Sequence, residues 1–218
     1  MAYYGLSKPR MAKLDVEKGT YSDGFAVGYA IGTNVNPQIN ESSMYGDNQL
    51  QEYEKAFKYA DVSLETTHLP IEAASVVFGH TVTENKKIVY NTSDSANYVG
   101  YGFYANEKVK GIKKYVACIL PKVLFAETDE SYNTQGENLE FKSTSISGRA
   151  MPVENGDWKV KDTFDTEEEA LNFIETFLGI RKAVTLSSKQ HLRKKVSESD
   201  TFDNIKSRTK LRLLKKGL

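Results

Sequence analysis

The chain has 218 residues, of which 39% are hydrophobic and 11% aromatic, a composition typical of a globular protein with one substantial core. The apolar runs are too short to cross a bilayer, and the first residues lack a leader pattern, so we expect a soluble protein that is not exported. The single cysteine, Cys118, excludes an internal disulfide, and its place in the run YVACIL predicts a buried, unreactive thiol, as in a cytoplasmic protein.

The charges divide the chain into two parts, although 29 basic and 29 acidic residues cancel overall. Residues 1–182 carry 19 Lys and Arg against 26 Asp and Glu, whereas residues 183–218 carry 10 against 3. We therefore expect one folded domain over residues 1–182 and a basic C-terminal extension over residues 183–218. A solvated or self-docking extension explains its charges first, and contact with nucleic acid, membrane or an acidic neighbour is the alternative.

The N-terminal third is expected to be mostly β-strand. The first twenty residues have no clear period and predict an arm that other segments must hold. FAVGYAIG and VNPQINE predict two strands, and Pro37 in the second suits a strand end or an edge, since proline donates no ladder hydrogen bond.

Residues 42–57, SSMYGDNQLQEYEKAF, fit two structures. Leu50, Tyr53 and Phe57 recur at helical spacing, whereas Tyr53, Phe57 and Tyr59 share one face of an extended strand. In the strand interpretation, a bulge near Ala60 is needed to bring the following DVSLE into phase.

The rest of the chain predicts further strands and two helices. HLPIEAASVVFG predicts a short helix, and TFDTEEEALNFIETFLG predicts a longer one with a cap at Asp165 or Thr166. HTVTENKKIVY predicts a hairpin about Glu84 and Asn85, NYVGYGFYA and KKYVACILPKVLFA predict two longer strands, and TDESYNTQGEN predicts a polar loop. Asn155-Gly156 predicts a two-residue hairpin that sets Val153 against Trp158. The expected fold class is mainly β (α+β), an antiparallel sandwich or open barrel with one short internal helix and one C-terminal helix.

Chemical motifs are weak. Gly100-Tyr101-Gly102-Phe103-Tyr104-Ala105 matches the dinucleotide pattern G-x-G-x-x-A, but an aromatic strand runs through it, so room for a neighbouring backbone or a bulge is the better explanation. The three histidines lack metal-site spacing, and a pair of Cys118 with His80 would need a thiolate inside an apolar run. We therefore predict no catalytic, cofactor-binding or metal-binding residues, and a protein that is not an enzyme.

Eight short segments occur in a recognisable order over roughly the first 180 residues: YGLSKP, MYGDN, DVSLE, YVGYGF, LPKVLF, ISGRA and NGDW followed by the EEALNFIETFLG helix. Together they resemble the major tail protein family of long-tailed phages that infect Gram-positive bacteria. The resemblance implies a tail-tube-type fold, six-membered rings that stack into a tube in the virion, and assembly in the host cytoplasm. It implies self-association, contacts with tape measure, tail terminator and distal tail proteins, DNA that transits the lumen without specific binding, and no membrane contact. The basic extension departs from the family pattern, so its role stays open.

This resemblance favours the strand interpretation of residues 42–57, as an arm that reaches the adjacent subunit or the next ring. The expected inter-subunit contacts are Tyr45, Asp47, Asn48, Tyr53 and Phe57, with Glu52, Glu54, Lys55 and Lys58 setting register by charge. The alternative is a hairpin or helix packed within its own subunit. The acidic body is consistent with a lumen that repels DNA, which would place the basic extension on the outer wall.

Two other function classes stay open. One is a nucleic-acid-binding protein that uses residues 189–216, which lack the interleaved aromatics common in such proteins. The other is a sandwich-type adhesin, for which a secretion signal is expected.

Overall fold

The computed structural model describes residues 3–127, 134 and 143–180, and within them the fold is mainly β. The strands are β1 (Tyr3–Asp15), β2 (Thr20–Ala26), β3 (Ala30–Gly46), β4 (Gln49–Thr66), β5 (Thr81–Val82), β6 (Ile88–Val89), β7 (Tyr98–Val109), β8 (Ile112–Phe125), β9 (Thr144–Ala150) and β10 (Val160–Phe164). The helices are α1 (Ile71–Val76) and α2 (Glu167–Phe177), so the predicted fold class is confirmed.

Eight of these strands form one open antiparallel sheet in the order β2-β1-β7-β8-β9-β4-β3, with β10 paired to β8 beside that path. The sheet curves over its own inner face: Tyr101 on β7 donates from its hydroxyl to Thr33 Oγ1 on β3 at 3.1 Å, although four strand pairings separate β7 from β3. The main core lies inside this curve and collects buried side chains from β1, β4, β7, β8, β9 and α1. The open-barrel alternative therefore describes the sheet.

Helix α2 covers the outer face of β1, β7 and β8. Thr166 caps it by accepting from the Glu169 amide at 3.2 Å, and three glutamates in its first turn complement the helix dipole, as the sequence predicts. Its buried face includes Ala170 and Ile174, and Leu178 follows its last turn; all three belong to a second cluster with Ala12, Tyr104, Ala117 and Ile119.

The two glycines of the GYGFYA motif leave room for side chains of helix α2 and the residue that follows its last turn. A Cβ on Gly100 would lie 2.6 Å from Leu178 Cδ2, and a Cβ on Gly102 would lie 2.6 Å from Ile174 Cγ2. The motif lies within strand β7 and opens no helix, so a dinucleotide loop is absent at these residues.

Strand β8 changes partner at Pro121. Before the proline it pairs with β10 through residues 115–119, and after it with β9 through residues 123–125. The hydrogen-bond register with β7 shifts at the same point. Because proline has no N–H, its position at this irregularity costs the sheet no ladder hydrogen bond. The predicted interruption at Pro121 is therefore a bulge and a partner change within one continuous strand.

Two local expectations differ from the structure. Residues Tyr3–Asp15, expected in a held arm, form strand β1 inside the sheet, where β2 and β7 pair with its two edges and Met11 and Ala12 are fully buried. The Asn155-Gly156 turn is longer than predicted, because the Val153 amide bonds the Asp157 carbonyl at 2.9 Å instead of facing Trp158. The cause is that Gly156 alone has a positive φ there, of 88°, whereas the two-residue turn needs both central residues in that region.

Other local predictions are confirmed. Helix α1 follows Pro70, and β5 and β6 form the hairpin about Glu84 and Asn85. The predicted polar loop, residues 128–138, lies outside the described residues apart from Thr134, as does the basic extension 183–218.

Candidate assembly surface

Residues 42–57, which fit both a helix and a strand in the sequence, belong to the β3–β4 hairpin and are strand on both sides of its turn. β4 runs without interruption from Gln49 to Thr66 and pairs with β3 along its whole length. Only its second half, from Ala60 onward, also pairs with β9. Residues 39–57 therefore form a two-stranded projection, here named the hairpin arm, whose outer edges pair with no strand of the described chain.

Two bulges in β4 set which side chains share a face of the arm. Lys58 is an extra residue opposite the step from Gln38 to Ile39, and Gln51 is another opposite the step from Met44 to Tyr45. The first is the predicted bulge, displaced from Ala60 to Lys58. It brings Phe57 into phase with the core face of β4, while Tyr59 lies on the other face against the Arg149 guanidinium, 4.5 Å from the ring centroid. The prediction that Phe57 and Tyr59 share a face is thus wrong.

One face of the arm continues the core face of the sheet beyond the body. Cross-strand partners share a face, so the pairs Ile39–Phe57, Glu41–Lys55, Ser43–Tyr53 and Tyr45–Leu50 lie together on it. Its apolar side chains are exposed: Ile39 by 50%, Tyr45 by 70%, Leu50 by 53% and Tyr53 by 49%. This row of apolar side chains therefore extends the core face of the sheet into solvent, where no other part of the described chain covers it.

The charges on that face are already paired within the arm. Lys55 Nζ lies 2.8 Å from Glu41 Oε1 and 5.1 Å from the centroid of the Tyr53 ring. The hydrogen bond with Lys55 lowers the pKa of Glu41, and the same bond raises the pKa of Lys55. Because each charge already has a partner, burial of the aromatic side chains beside the pair would leave neither charge unpaired.

The opposite face of the arm is acidic. The pairs Ser42–Glu54 and Met44–Glu52 place two carboxylates there, and neither has an ion-pair partner within the described chain. Of the four residues predicted to set register by charge, only Lys55 forms an ion pair inside the arm.

Asp47 and Asn48 form the turn at the tip. Gly46 pairs with Gln49, and the two residues between them have φ values of 50° and 61°. Two successive positive φ values define a type I′ turn, in which Asp and Asn are among the few tolerated residues other than glycine. Their identity is therefore explained by backbone geometry, apart from any contact they make with another chain.

Exchange of Asn48 tests this turn. We expect Asn48→Gly to keep the arm intact, whereas Asn48→Val places a β-branched residue at positive φ and costs roughly 1–3 kcal/mol locally. Amide hydrogen exchange should show faster exchange confined to residues 40–56 in the valine variant, with an unchanged Tm because the arm lies outside the core. Equal protection in the two variants would contradict the turn assignment.

Phe57 lies at the base of the arm and packs against the body of its own chain. Its ring stacks on Trp158 with centroids 4.6 Å apart and planes 18° apart, and it packs against the main core. Of the five predicted contact residues, Tyr45, Asp47, Asn48 and Tyr53 are thus exposed together on the arm, and Phe57 is separated from them. Ile39 and Leu50 share the exposed apolar face but are not among the five predicted residues, although the alternation from Val35 to Glu41 put Ile39 on the same strand face as Val35.

The histidine and cysteine considered for catalysis have other contacts. His80 Nδ1 lies 2.7 Å from Asp94 Oδ2, and its Nε2 lies 2.7 Å from Glu127 Oε1. Because the carboxylates contact opposite ring nitrogens, they do not converge on one metal ion, and no group of three or more His, Cys, Asp or Glu among the residues described could hold one. Burial raises the pKa of Cys118, which disfavours the thiolate.

In the part of the chain that is described, no helix is long and apolar enough to cross a membrane.

No family model matches the sequence, and no curated protein matches it. Among solved structures, the chain is similar to the anti-feeding prophage cap, described as the AFP tube terminating cap and determined by cryo-EM. The TM-score is 0.38 at 9% sequence identity, over 75% of this chain and 94% of that chain.

Proposed function

We propose that this protein is a structural component of a phage-type tail, and specifically the tail tube subunit, which forms stacked six-membered rings around a channel for DNA. The observation that supports this most strongly is the hairpin arm, which carries exposed Ile39, Tyr45, Leu50 and Tyr53 on one face. A monomer leaves these side chains in water, whereas a neighbouring copy of the same chain would cover them.

The free energy gained by burying one arm is too small to hold two copies together, so each subunit needs more than one contact. Burying the exposed halves of four large apolar side chains contributes roughly 3–6 kcal/mol, since full burial of one contributes about 1.5–3 kcal/mol. Association costs on the order of 4–15 kcal/mol in lost translational and rotational freedom. One arm is therefore too weak to hold two copies alone, and a ring with stacking supplies several contacts to each copy.

The sheet offers the additional contacts. Strand β3 forms one edge of the sheet, with Pro37 inside it, and β2 forms the other. Unpaired edges invite pairing with another chain, and a closed ring of subunits can satisfy them. The sequence resemblance to major tail proteins agrees with this use of the edges, and it extends the proposal to contacts with tape measure, terminator and distal tail proteins.

Sedimentation velocity of the purified full chain over a hundredfold concentration range tests the proposal. We expect species larger than the 24.5 kDa monomer to grow with concentration. A single monomeric species at every concentration would contradict self-assembly. A monomer that instead shifts duplex DNA only when residues 189–216 are present would favour the nucleic-acid-binding alternative.

A further inference from the structure

We propose that the tip of the hairpin arm of one copy docks in a basic-rimmed apolar cavity on the body of a second copy. The inference rests on the proposed self-assembly and names the surface that receives the arm. It is carried by the shape, lining and charge of the cavity and by the matching character of the tip.

The cavity lies between the start of β1, the start of β3 and the region leading into β10, and it has a volume of about 430 Å³. That volume is within the range of pockets that enclose a ligand. Its lining is mainly apolar and is contributed by Leu6, Val35, Phe103, Ala105, Val116 and Cys118. Tyr3 and Tyr4 also line it and are exposed by 53% and 48%, so an apolar side chain that enters would meet further aromatic surface.

Two lysines give the cavity a positive charge. Lys159 and Lys161 line it, and Lys161 Nζ lies 5.1 Å from the centroid of the Tyr3 ring. Lys159 Nζ lies 5.2 Å from the centroid of the Trp158 ring. Neither ammonium group forms an ion pair within the described residues, whereas Lys114 on β8 is paired with Asp165.

The tip of the hairpin arm has the opposite charge and a matching apolar surface. Tyr45 and Leu50 face each other just behind the turn, and Tyr45 is the more exposed, at 70%. Asp47 in the turn and Glu52 and Glu54 on the acidic face lack ion-pair partners in the described chain. Insertion of the tip would bury Tyr45 and Leu50 and bring these carboxylates to the lysine rim.

The tip cannot reach the cavity of its own subunit. Residues Gly32, Thr33 and Val35 of β3 line the cavity, and the tip lies at the other end of the same paired strand, about 40 Å away at 3.3 Å per residue. The contact is therefore between copies and joins two different surfaces, which is the head-to-tail geometry that generates rings or stacks. The basic extension 183–218 is a poorer occupant, because its charge has the same sign as the two lysines.

Charge reversal on the two sides tests the docking. Lys159→Glu/Lys161→Glu and Glu52→Lys/Glu54→Lys should each raise the concentration needed for half-assembly about tenfold or more, because like charges then face each other. The variant with all four changes should recover assembly. Lys86→Glu/Lys87→Glu, an equal charge change at exposed sites in the β5–β6 hairpin, which contributes no residue to the cavity lining, should assemble as the wild type does. Sedimentation velocity measures assembly, and circular dichroism with Tm establishes that each variant is folded.

The outcomes separate this inference from the proposed function. Normal assembly of both double variants would overturn the docking and leave self-assembly standing. Loss of assembly in both double variants without recovery in the fourfold variant would place the two charge groups in separate contacts and also overturn the docking. A wild-type chain that never assembles would overturn both proposals.

Discussion

Replacing Tyr45 and Tyr53 together by serine is expected to abolish assembly and leave the fold intact. Both rings lie on the apolar face of the hairpin arm, 70% and 49% exposed, and make no contribution to either core cluster. Exposed substitutions of this kind usually change stability by no more than about 0.5 kcal/mol. The loss of two aromatic anchors from every copy removes half of the apolar side chains that we propose each arm buries against a neighbour, and the remaining contacts are then too weak to offset the cost of association.

The measurement compares molar mass and Tm in the same samples. Size-exclusion chromatography with light scattering should give a monomer for the double variant at concentrations at which the wild type assembles, with Tm within about 2 °C of the monomeric wild type. The matched control is Phe57→Ser, which removes the stacking on Trp158 at the base of the arm and should cost about 2 kcal/mol of stability. Assembly of the double-serine variant at wild-type concentrations would refute the role of the arm.

Replacing Phe125 by alanine is expected to destabilise the body by about 3–5 kcal/mol. The ring is 1% exposed inside the curved sheet, with its centroid 6.0 Å from that of Tyr101 at an edge-on angle of 82°. Truncation leaves a cavity that the surrounding strands fill only partly. For a domain of this size the change corresponds to a fall in Tm on the order of 10 °C.

Leu124→Ala supplies the control, because the two neighbours lie on opposite faces of β8 and Leu124 is only half-buried. It should cost about 1 kcal/mol or less, as measured by urea denaturation of monomeric protein. A larger cost for Leu124→Ala than for Phe125→Ala would mean that β8 presents the other face to the core, and the register with β7 and β9 would have to be revised.

The elements that could be predicted are those determined by neighbours in sequence. Helix α2 was predictable because Thr166, the glutamates of the first turn, and Ala170 and Ile174 all act within a few residues of one another. The hairpin about Glu84 and Asn85 was predictable for the same reason. In these segments local propensity and tertiary structure agree.

The predictions that were wrong concern segments whose structure depends on contacts with residues distant in the sequence. Residues Tyr3–Asp15 have no regular alternation, because two slips in the ladder with β7 break their phase, and only pairing with β2 and β7 makes them a strand. The turn at Asn155-Gly156 was misread because the dipeptide occurs in longer turns too, and the hydrogen bond from Val153 to Asp157 decides between them.

The exposed apolar face of the hairpin arm was predicted in part. Alternation placed Tyr53 and Phe57 on one face and the family resemblance added Tyr45; Tyr45 and Tyr53 do lie on one exposed face. Phe57 could not be separated from them, because its partner Trp158 lies about a hundred residues away in the chain. The lysines of the cavity were not singled out, since Lys159 and Lys161 meet the β1 and β3 side chains only in the folded sheet.

Negative-stain electron microscopy of the purified, concentrated wild-type chain shows whether copies assemble around a hollow axis. We expect rings with a hollow centre, or tubes built from them, and we expect neither for Tyr45→Ser/Tyr53→Ser. A field of single compact particles at every concentration, with sedimentation confirming a monomer, would contradict it.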